Sequence, residues 1–296
     1  MMRQIVLGGR FGERSQDRSD FLVATFAERG GEWIETAHSY ADGAAEQSVA
    51  AAIAAAGRPL RVVTKVGHPD PDGAPTLDPR SLARQLAVSA DRLQRPIDAV
   101  LLHRDDPTAH PEQLLAPLLD ARSVGLITHL GVANWSLDRA IMAQRLAGPL
   151  WAISLQLSVV TPGIPMWEGT RSASPADVLW ADEAGVSLLA WSPLARGWIP
   201  DPGSAPAEAQ ASFTSVGNWR ILERCDEIAA IHGCSRSAVA LAWLLSAGRR
   251  IRPIVGAESL QDLDEAYQAV RLVRGADQTR LTGSLALLPT LSVSLI

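Results

Sequence analysis

Apolar residues in this chain fall in short runs, separated by longer stretches where they recur every three or four positions. Short runs without polar alternation suit strands covered on both faces, and the longer stretches suit amphipathic helices. The runs at 5–7, 33–34, 61–64, 99–102, 130–132, 153–155, 186–190 and 253–255 are therefore read as strands. Strand, helix, strand in alternation is the pattern of parallel strands joined by crossovers. Eight such units predict an α/β fold of the (β/α)8 TIM-barrel type, for which ~250 residues suffice. Helix starts are marked as well: Asp78 is placed to cap a helix with Pro79 at its first position and Leu82, Leu86 and Leu93 on one face. Ser235 is placed to cap a helix over 238–246, whereas the Pro/Gly/Ala-rich stretch 200–211 reads as a long loop. Nothing resembles an interdomain linker, so a single domain over 1–296 is expected.

The residues that end these runs change the picture. Glu35, Lys65, His103, Asn134, Gln156 and the pair Trp191-Ser192 stand at six consecutive strand ends. In a parallel barrel those ends converge on one face, where such folds carry their chemistry. Packing alone gives no reason for six polar or aromatic groups there.

Composition narrows the class of function. A hydrophobic share of 47% with 20% charged residues suits a globular enzyme better than a disordered chain. No apolar run approaches the ~20 residues of a membrane span, and the apolar tail from Leu285 is interrupted by Pro289 and serines, which reads as packing against the body. A net charge of −5 without a basic stripe argues against nucleic acid. Cys225 and Cys234 supply neither a disulfide framework nor metal spacing, and the first residues lack a secretory pattern, so a cytoplasmic protein with no metal is expected. Lys65 is the sole lysine; every other basic position, histidines aside, is arginine. Lysine differs from arginine in that its charge can be tuned by burial and neighbours.

Several stretches together resemble the aldo-keto reductase family. They are Glu35-Thr36-Ala37-His38-Ser39-Tyr40, Val63-Thr64-Lys65, Leu101-Leu102-His103-Arg104-Asp105-Asp106-Pro107, Leu130-Gly131-Val132-Ala133-Asn134-Trp135, Trp191-Ser192-Pro193-Leu194 and Val239-Ala240-Leu241-Ala242-Trp243. The resemblance implies an NAD(P)H-dependent oxidoreductase that reduces an aldehyde, ketone or sugar, with a tetrad of Glu35, Tyr40, Lys65 and His103. Tyr40 is the implied general acid. A free phenol, with a pKa of ~10, needs help from a neighbouring ammonium. Glu35 would hold Lys65, and His103 would orient the substrate oxygen. The other tyrosine, Tyr267, lies in a helical pattern away from the strand ends. Asn134 and Gln156 are implied to hold the nicotinamide carboxamide and Trp191 to stack on its ring. Ser192, Leu194 and Gly197 are implied to wrap the pyrophosphate, with Gly256, Glu258 and Asp262 at the adenosine end.

Three positions depart from the family pattern. Glu35 stands where the family has Asp, and one methylene displaces the carboxylate by roughly 1–1.5 Å on a fixed backbone. Misplacement of ~1 Å can cost ~100-fold in rate, which keeps open a redox-inactive or specialised nucleotide-binding regulatory protein. Ala133 replaces a family serine. Glu258 and Asp262 stand where a 2′-phosphate would need cations, and a carboxylate can instead accept from a ribose hydroxyl, which favours NADH. A Schiff-base role for Lys65 is a third reading. Arg104, Asp105 and Asp106 are read as structuring their loop, and Trp135, Trp167 and Trp198 as pocket walls. Substrate choice is expected to reside in the loops 67–75, 161–173 and 199–213. The sequence gives no reading of oligomeric state.

Overall fold

A computed structural model describes residues 2–69, 76–275 and 278–289. Eight parallel strands lie in chain order in one closed barrel: β1 (Val6–Gly8), β2 (Trp33–Glu35), β3 (Arg61–Val66), β4 (Ile97–Leu102), β5 (Ile127–Ala133), β6 (Ala152–Gln156), β7 (Ser187–Trp191) and β8 (Ile251–Val255). The helices are α1 (Gln16–Glu28), α2 (Ala44–Ala56), α3 (Pro79–Leu93), α4 (Pro111–Ser123), α5 (Leu137–Ala147), α6 (Pro175–Ala184), α7 (Ala207–Phe213), α8 (Val216–His232), α9 (Arg236–Ala247), α10 (Leu260–Arg274) and α11 (Gln278–Leu285). This is the expected (β/α)8 arrangement. The chain divides into two compact units, Val6–Ser154 and the remainder.

In the first unit, β1 to β5 are buried along most of their length because helices cover one face and barrel side chains the other. Register pairs Leu7 with Ile34, Ile34 with Val62, and Lys65 with Leu101. The β1–β2 and β2–β3 ladders end at Glu35, and Lys65 lies one residue short of the end of the β3–β4 ladder. Gly9 follows β1 because a Cβ there would lie 2.7 Å from the Glu35 carbonyl, which accepts instead a 2.6 Å hydrogen bond from the Gly9 N–H. Asp78 caps α3 through its Oδ1, which accepts from Arg80 and Ser81 N–H at 3.1 Å, and Leu82, Leu86 and Leu93 are buried below it. A cap of this kind contributes ~1 kcal/mol.

In the second unit, β7 and β8 pair Leu188 with Ile251 and Ala190 with Pro253. Ser235 caps a helix that begins two residues before the expected start, α9, which is buried almost all round. The stretch expected as a loop over 200–211 instead enters α7 at Ala207. Ala, Glu and Gln are strong helix formers, and the turn buries Ala209, Ser212 and Phe213. Cys225 in α8 and Cys234 beyond it are both free thiols. Among the described residues no single helix is long and apolar enough to cross a membrane, and no three His, Cys, Asp or Glu side chains converge on a metal site. The expected packing of the tail beyond Pro289, and loop positions 70–75, lie outside the described residues.

Candidate active site

Four side chains of the first unit meet at the C-terminal ends of its strands. Lys65, near the end of β3, is ion-paired to Glu35, the last residue of β2. Its Nζ also donates to the Tyr40 hydroxyl at 3.1 Å and to the Thr36 carbonyl at 3.3 Å. The Tyr40 hydroxyl in turn donates to Glu35 Oε1 at 3.3 Å. Glu35 and Lys65 are only 4% and 3% exposed, so this triangle is sealed from bulk water except through Tyr40. His103, directly after β4, presents its ring edge-on to Tyr40, with centroids 5.8 Å apart. The backbone fixes the spacing, since His38 N–H donates to the Lys65 carbonyl at 2.9 Å and His103 N–H to Val66 at 2.7 Å. The longer glutamate therefore reaches both of its partners from the barrel wall.

Cations dominate the surroundings. The Arg10 guanidinium lies 5.4 Å from the Tyr40 ring centroid, and Lys65 Nζ lies 4.8 Å from it. Burial, reinforced by Arg104 and Arg10, pulls the Lys65 ammonium below the usual lysine range, while contact with Glu35 works in the opposite direction. Burial also holds His103 well below the ordinary histidine value, with Lys65, Arg104 and His68 adding repulsion, so the imidazole is neutral at physiological pH. Its Nδ1 is buried with no hydrogen-bond partner.

Tyr40 begins a tight turn whose next residues, Ala41, Asp42 and Gly43, all have positive φ. Such backbone is strained for alanine and aspartate and needs external support. Arg92 of α3 supplies it: its Nη1 donates to the His38 carbonyl at 3.0 Å and to Glu46 at 3.3 Å, and its Nη2 to the Asp42 carbonyl at 3.4 Å. Glu46 is fully buried and accepts a 2.6 Å bond from Thr64 Oγ1. None of these supporting groups stands out in the sequence, because a lone Arg on an amphipathic helix reads as solvated.

Loop residues after β4 divide in role. Asp105 is held by Arg139 through Nε and Nη2 at 2.7 and 2.8 Å, and Asp106 accepts from Thr108, so both structure the loop as expected. Arg104 departs from that expectation: it turns back toward the tetrad, where its Nη2 meets His68 Nε2 at 3.4 Å. Trp135 is buried and donates to the Arg104 carbonyl at 3.2 Å, and Trp198 is buried too, so neither is a pocket wall. Trp167 is 37% exposed and lies 5.7 Å from Trp191 between ring centroids.

The implied cofactor residues are set as follows. Asn134 has a φ of 65° and donates to the His103 carbonyl at 3.2 Å. In the second unit, the Gln156 amide accepts from Ser172 Oγ at 2.6 Å and donates to Ser158 Oγ at 3.1 Å, which fixes its orientation. Trp191 is half-buried at the end of β7. Ser192, Ala195, Arg196 and Gly197 all have positive φ, and a Cβ on Gly197 or Gly256 would meet nothing within 4 Å. Leu194 accepts from the Gly197 N–H at 3.1 Å in the same turn. In chemical type, the amide of Asn134 in the first unit, and the amide, aromatic face and contorted loop of the second, are each of the kind that a carboxamide, a flat ring and a pyrophosphate require. Asp262 stands differently from its expected role. Its carboxylate closes the capping box of α10, accepting from the Glu258 and Ser259 N–H groups at 2.7 and 2.8 Å.

The family model described as "Aldo/keto reductase family" matches residues 4–281. The chain belongs to that family. Curated family relatives include a 6-dehydroglucose reductase of Novosphingobium aromaticivorans, 28% identical over 62% of this chain and 59% of its own length. Another is the aldo-keto reductase dtxS3 of Metarhizium robertsii, 30% identical over 69% of this chain and 55% of its own. The chain thus spans little more than half the length of these relatives. A probable aldo-keto reductase of Glycine max is 25% identical over 89% of this chain and 78% of its own. Among solved structures, a glycerol dehydrogenase from Gluconobacter oxydans superposes with a TM-score of 0.77 at 20% identity, covering 99% of this chain and 94% of that one. An aldo/keto reductase from Klebsiella pneumoniae in complex with NADP and acetate gives a TM-score of 0.71 at 20% identity, over 97% and 91% of the two chains. Both likenesses bear on the fold of the family.

Proposed function

We propose that this chain is an NAD(P)H-dependent carbonyl reductase, one catalytic domain in which Tyr40 donates the proton that completes reduction of an aldehyde, ketone or sugar. The observation that carries this reading is the phenol oxygen of Tyr40 held 3.1 Å from a buried, carboxylate-paired ammonium. When bound, a nicotinamide would supply the hydride that the carbonyl carbon accepts. As negative charge develops on the carbonyl oxygen, Tyr40 passes its proton there and the ammonium of Lys65 stabilises the charge left on the phenol oxygen. Glu35 keeps Lys65 charged and aimed. His103 is neutral, and with Nδ1 sealed from any acceptor its proton belongs on Nε2, from which it can donate to the substrate oxygen. By the family resemblance, Asn134 of the first unit would hold the carboxamide, and Gln156, Trp191, Ser192, Leu194 and Gly197 of the second would be its further cofactor residues.

The Schiff-base reading of Lys65 loses support here, since all three ammonium donors are engaged, by Glu35, Tyr40 and Thr36. For coenzyme choice, Asp262 is committed to its helix cap, so the leaning toward NADH rests on Glu258 alone. Tyr40→Phe removes the proton donor and keeps the ring. Expected is a loss of at least ~100-fold in turnover, with dinucleotide binding retained by tryptophan fluorescence; full activity in the variant would refute the reading. NADH and NADPH run in parallel decide the coenzyme.

One observation favours a second reading, a dinucleotide-binding regulatory protein without turnover. The Tyr40 hydroxyl lies 3.3 Å from Glu35 Oε1, an acceptor that competes with a substrate oxygen for its proton. In that case the native chain binds dinucleotide and reduces nothing, while Glu35→Asp withdraws the acceptor and creates activity.

A further inference from the structure

The half-buried guanidinium of Arg104 lies beside the tetrad and is neutralised by no carboxylate among the described residues. The two acids that follow it in sequence are taken, Asp105 by Arg139 and Asp106 by Thr108. Arg104 makes only two hydrogen bonds, both to neutral acceptors: Nη1 donates to the His103 carbonyl at 3.2 Å and Nη2 to His68 Nε2 at 3.4 Å. A guanidinium carries five N–H donors in a planar fork, so three of them lack a protein acceptor among the described residues. The second of these bonds is fixed by His68 itself. Its Nδ1 lies 2.8 Å from the Pro69 carbonyl and must donate to it, which leaves Nε2 as an acceptor for Arg104. His68 is a neutral spacer, kept so by burial. Its ring stacks edge-on against that of His103 with centroids 4.7 Å apart, and so ties the guanidinium to the group that would hold the substrate oxygen. An unneutralised, partly desolvated cation carries a folding cost that a bound anion would offset.

We propose that Arg104 receives a carboxylate carried by the substrate, so that this chain reduces oxo acids and aldehyde acids in preference to neutral carbonyl compounds. The proposal rests on the reductase reading for its turnover but not for its binding. The planar fork matches a carboxylate through two parallel hydrogen bonds, which fixes the rest of the molecule as well as holding it. Such charge-assisted pairs correspond to about 10–100-fold in affinity. The anion need not be released for chemistry, since the proton from Tyr40 and the hydride go to the carbonyl group alone.

The test pairs each acid with its neutral ester: succinate semialdehyde and 4-carboxybenzaldehyde against their methyl esters, in wild type, R104M and R104K. Glyceraldehyde 3-phosphate against glyceraldehyde forms a phosphate arm. Expected is a kcat/KM ratio of acid to ester of about 10–100 in wild type, falling toward one in R104M through KM of the acid and only partly in R104K, which keeps charge without the fork. No preference in wild type, an equal loss on acid and ester in R104M, or a preference for the phosphate alone would each overturn it. Should R104M fail to fold by circular dichroism, an unchanged ratio in R104K would overturn it equally. If no carbonyl compound is reduced at all, the reductase reading fails, and calorimetry of benzoate against benzamide still decides this one. Tighter benzoate binding that is lost on altering Arg104 supports the carboxylate site, and equal binding of the two refutes it.

Discussion

Replacing Gly43 by alanine tests how the proton-donating turn is held in place. Gly43 has a φ of +93°, and an added Cβ would run into the Arg92 guanidinium. Left-handed backbone costs an L-residue about 1–2 kcal/mol, part of which is returned because alanine also restricts the unfolded chain. The guanidinium is the end of a flexible chain and can swing aside, so the collision itself is cheap. What is lost is its bond to Glu46, a carboxylate with no exposure, together with those to the His38 and Asp42 carbonyls. Breaking a buried pair costs ~3–5 kcal/mol. The lower end applies, since Arg92 is 21% exposed and Thr64 continues to bond Glu46. Gly43→Ala should therefore destabilise by about 3–5 kcal/mol in total. Gly57 gives the control: it caps α2 with φ +59° and nothing within 4 Å of an added Cβ, so Gly57→Ala should cost only about 1 kcal/mol. Equilibrium urea unfolding measures both. A cycle with Arg92→Ala should show strong coupling, because once Arg92 is gone the added methyl has nothing further to displace. Equal costs at positions 43 and 57, or additive costs in the cycle, would show that Arg92 does not support this turn.

Three further outcomes are expected. His38 is held neutral, its pKa lowered from 6.5 to about 4 by burial and then by Arg92 and Arg84, so the unfolded chain takes up the proton first. Its contribution is present above about pH 6.5 and is lost as pH falls toward about 4, on the order of 1–2 kcal/mol after allowing for its partial exposure. His38→Asn should flatten the melting temperature over that window, and an unaltered slope would remove His38 as its cause. Arg139→Ala should cost about 1.5–3 kcal/mol, the pair being partly exposed, and free Asp105 to compete for Arg104. Steady-state kinetics should then show a raised KM for carboxylate substrates, and an unchanged KM would count against that competition. Asp262→Asn should weaken the α10 cap by about 1 kcal/mol and leave the ratio of NADH to NADPH turnover as it was, whereas a shifted ratio would place that carboxylate at the ribose.

Strand positions could be read from the sequence because parallel strands buried on both faces leave unbroken apolar runs, and their polar last residues stand out by contrast. Glu35, Lys65 and His103 were visible for that reason, and Tyr40 by its spacing from Glu35. Helix α7 was hidden because Pro, Gly and Ser before it resemble a loop, and its burial of Phe213 depends on tertiary packing. Asp262 could be seen only as an acid near the adenosine end, since nothing in a sequence tells a carboxylate aimed outward from one folded onto its own helix. Arg104 and Asp105 are adjacent and opposite in charge, and the sequence reads both as structuring their loop. The bidentate fork of Arg139 takes Asp105 away, and that is a fact of geometry.

The solitary lysine has a practical consequence. Because Lys65 is the only lysine of this sequence and lies in the tetrad, growth on isotopically labelled lysine would leave the rest of these residues dark in a magnetic resonance spectrum, with a signal only at the proposed reaction centre. One side-chain ammonium signal would then follow coenzyme, substrate and pH directly, with no assignment needed. Amine-directed reagents would find little to modify along the chain, since that one ε-amine is 3% exposed.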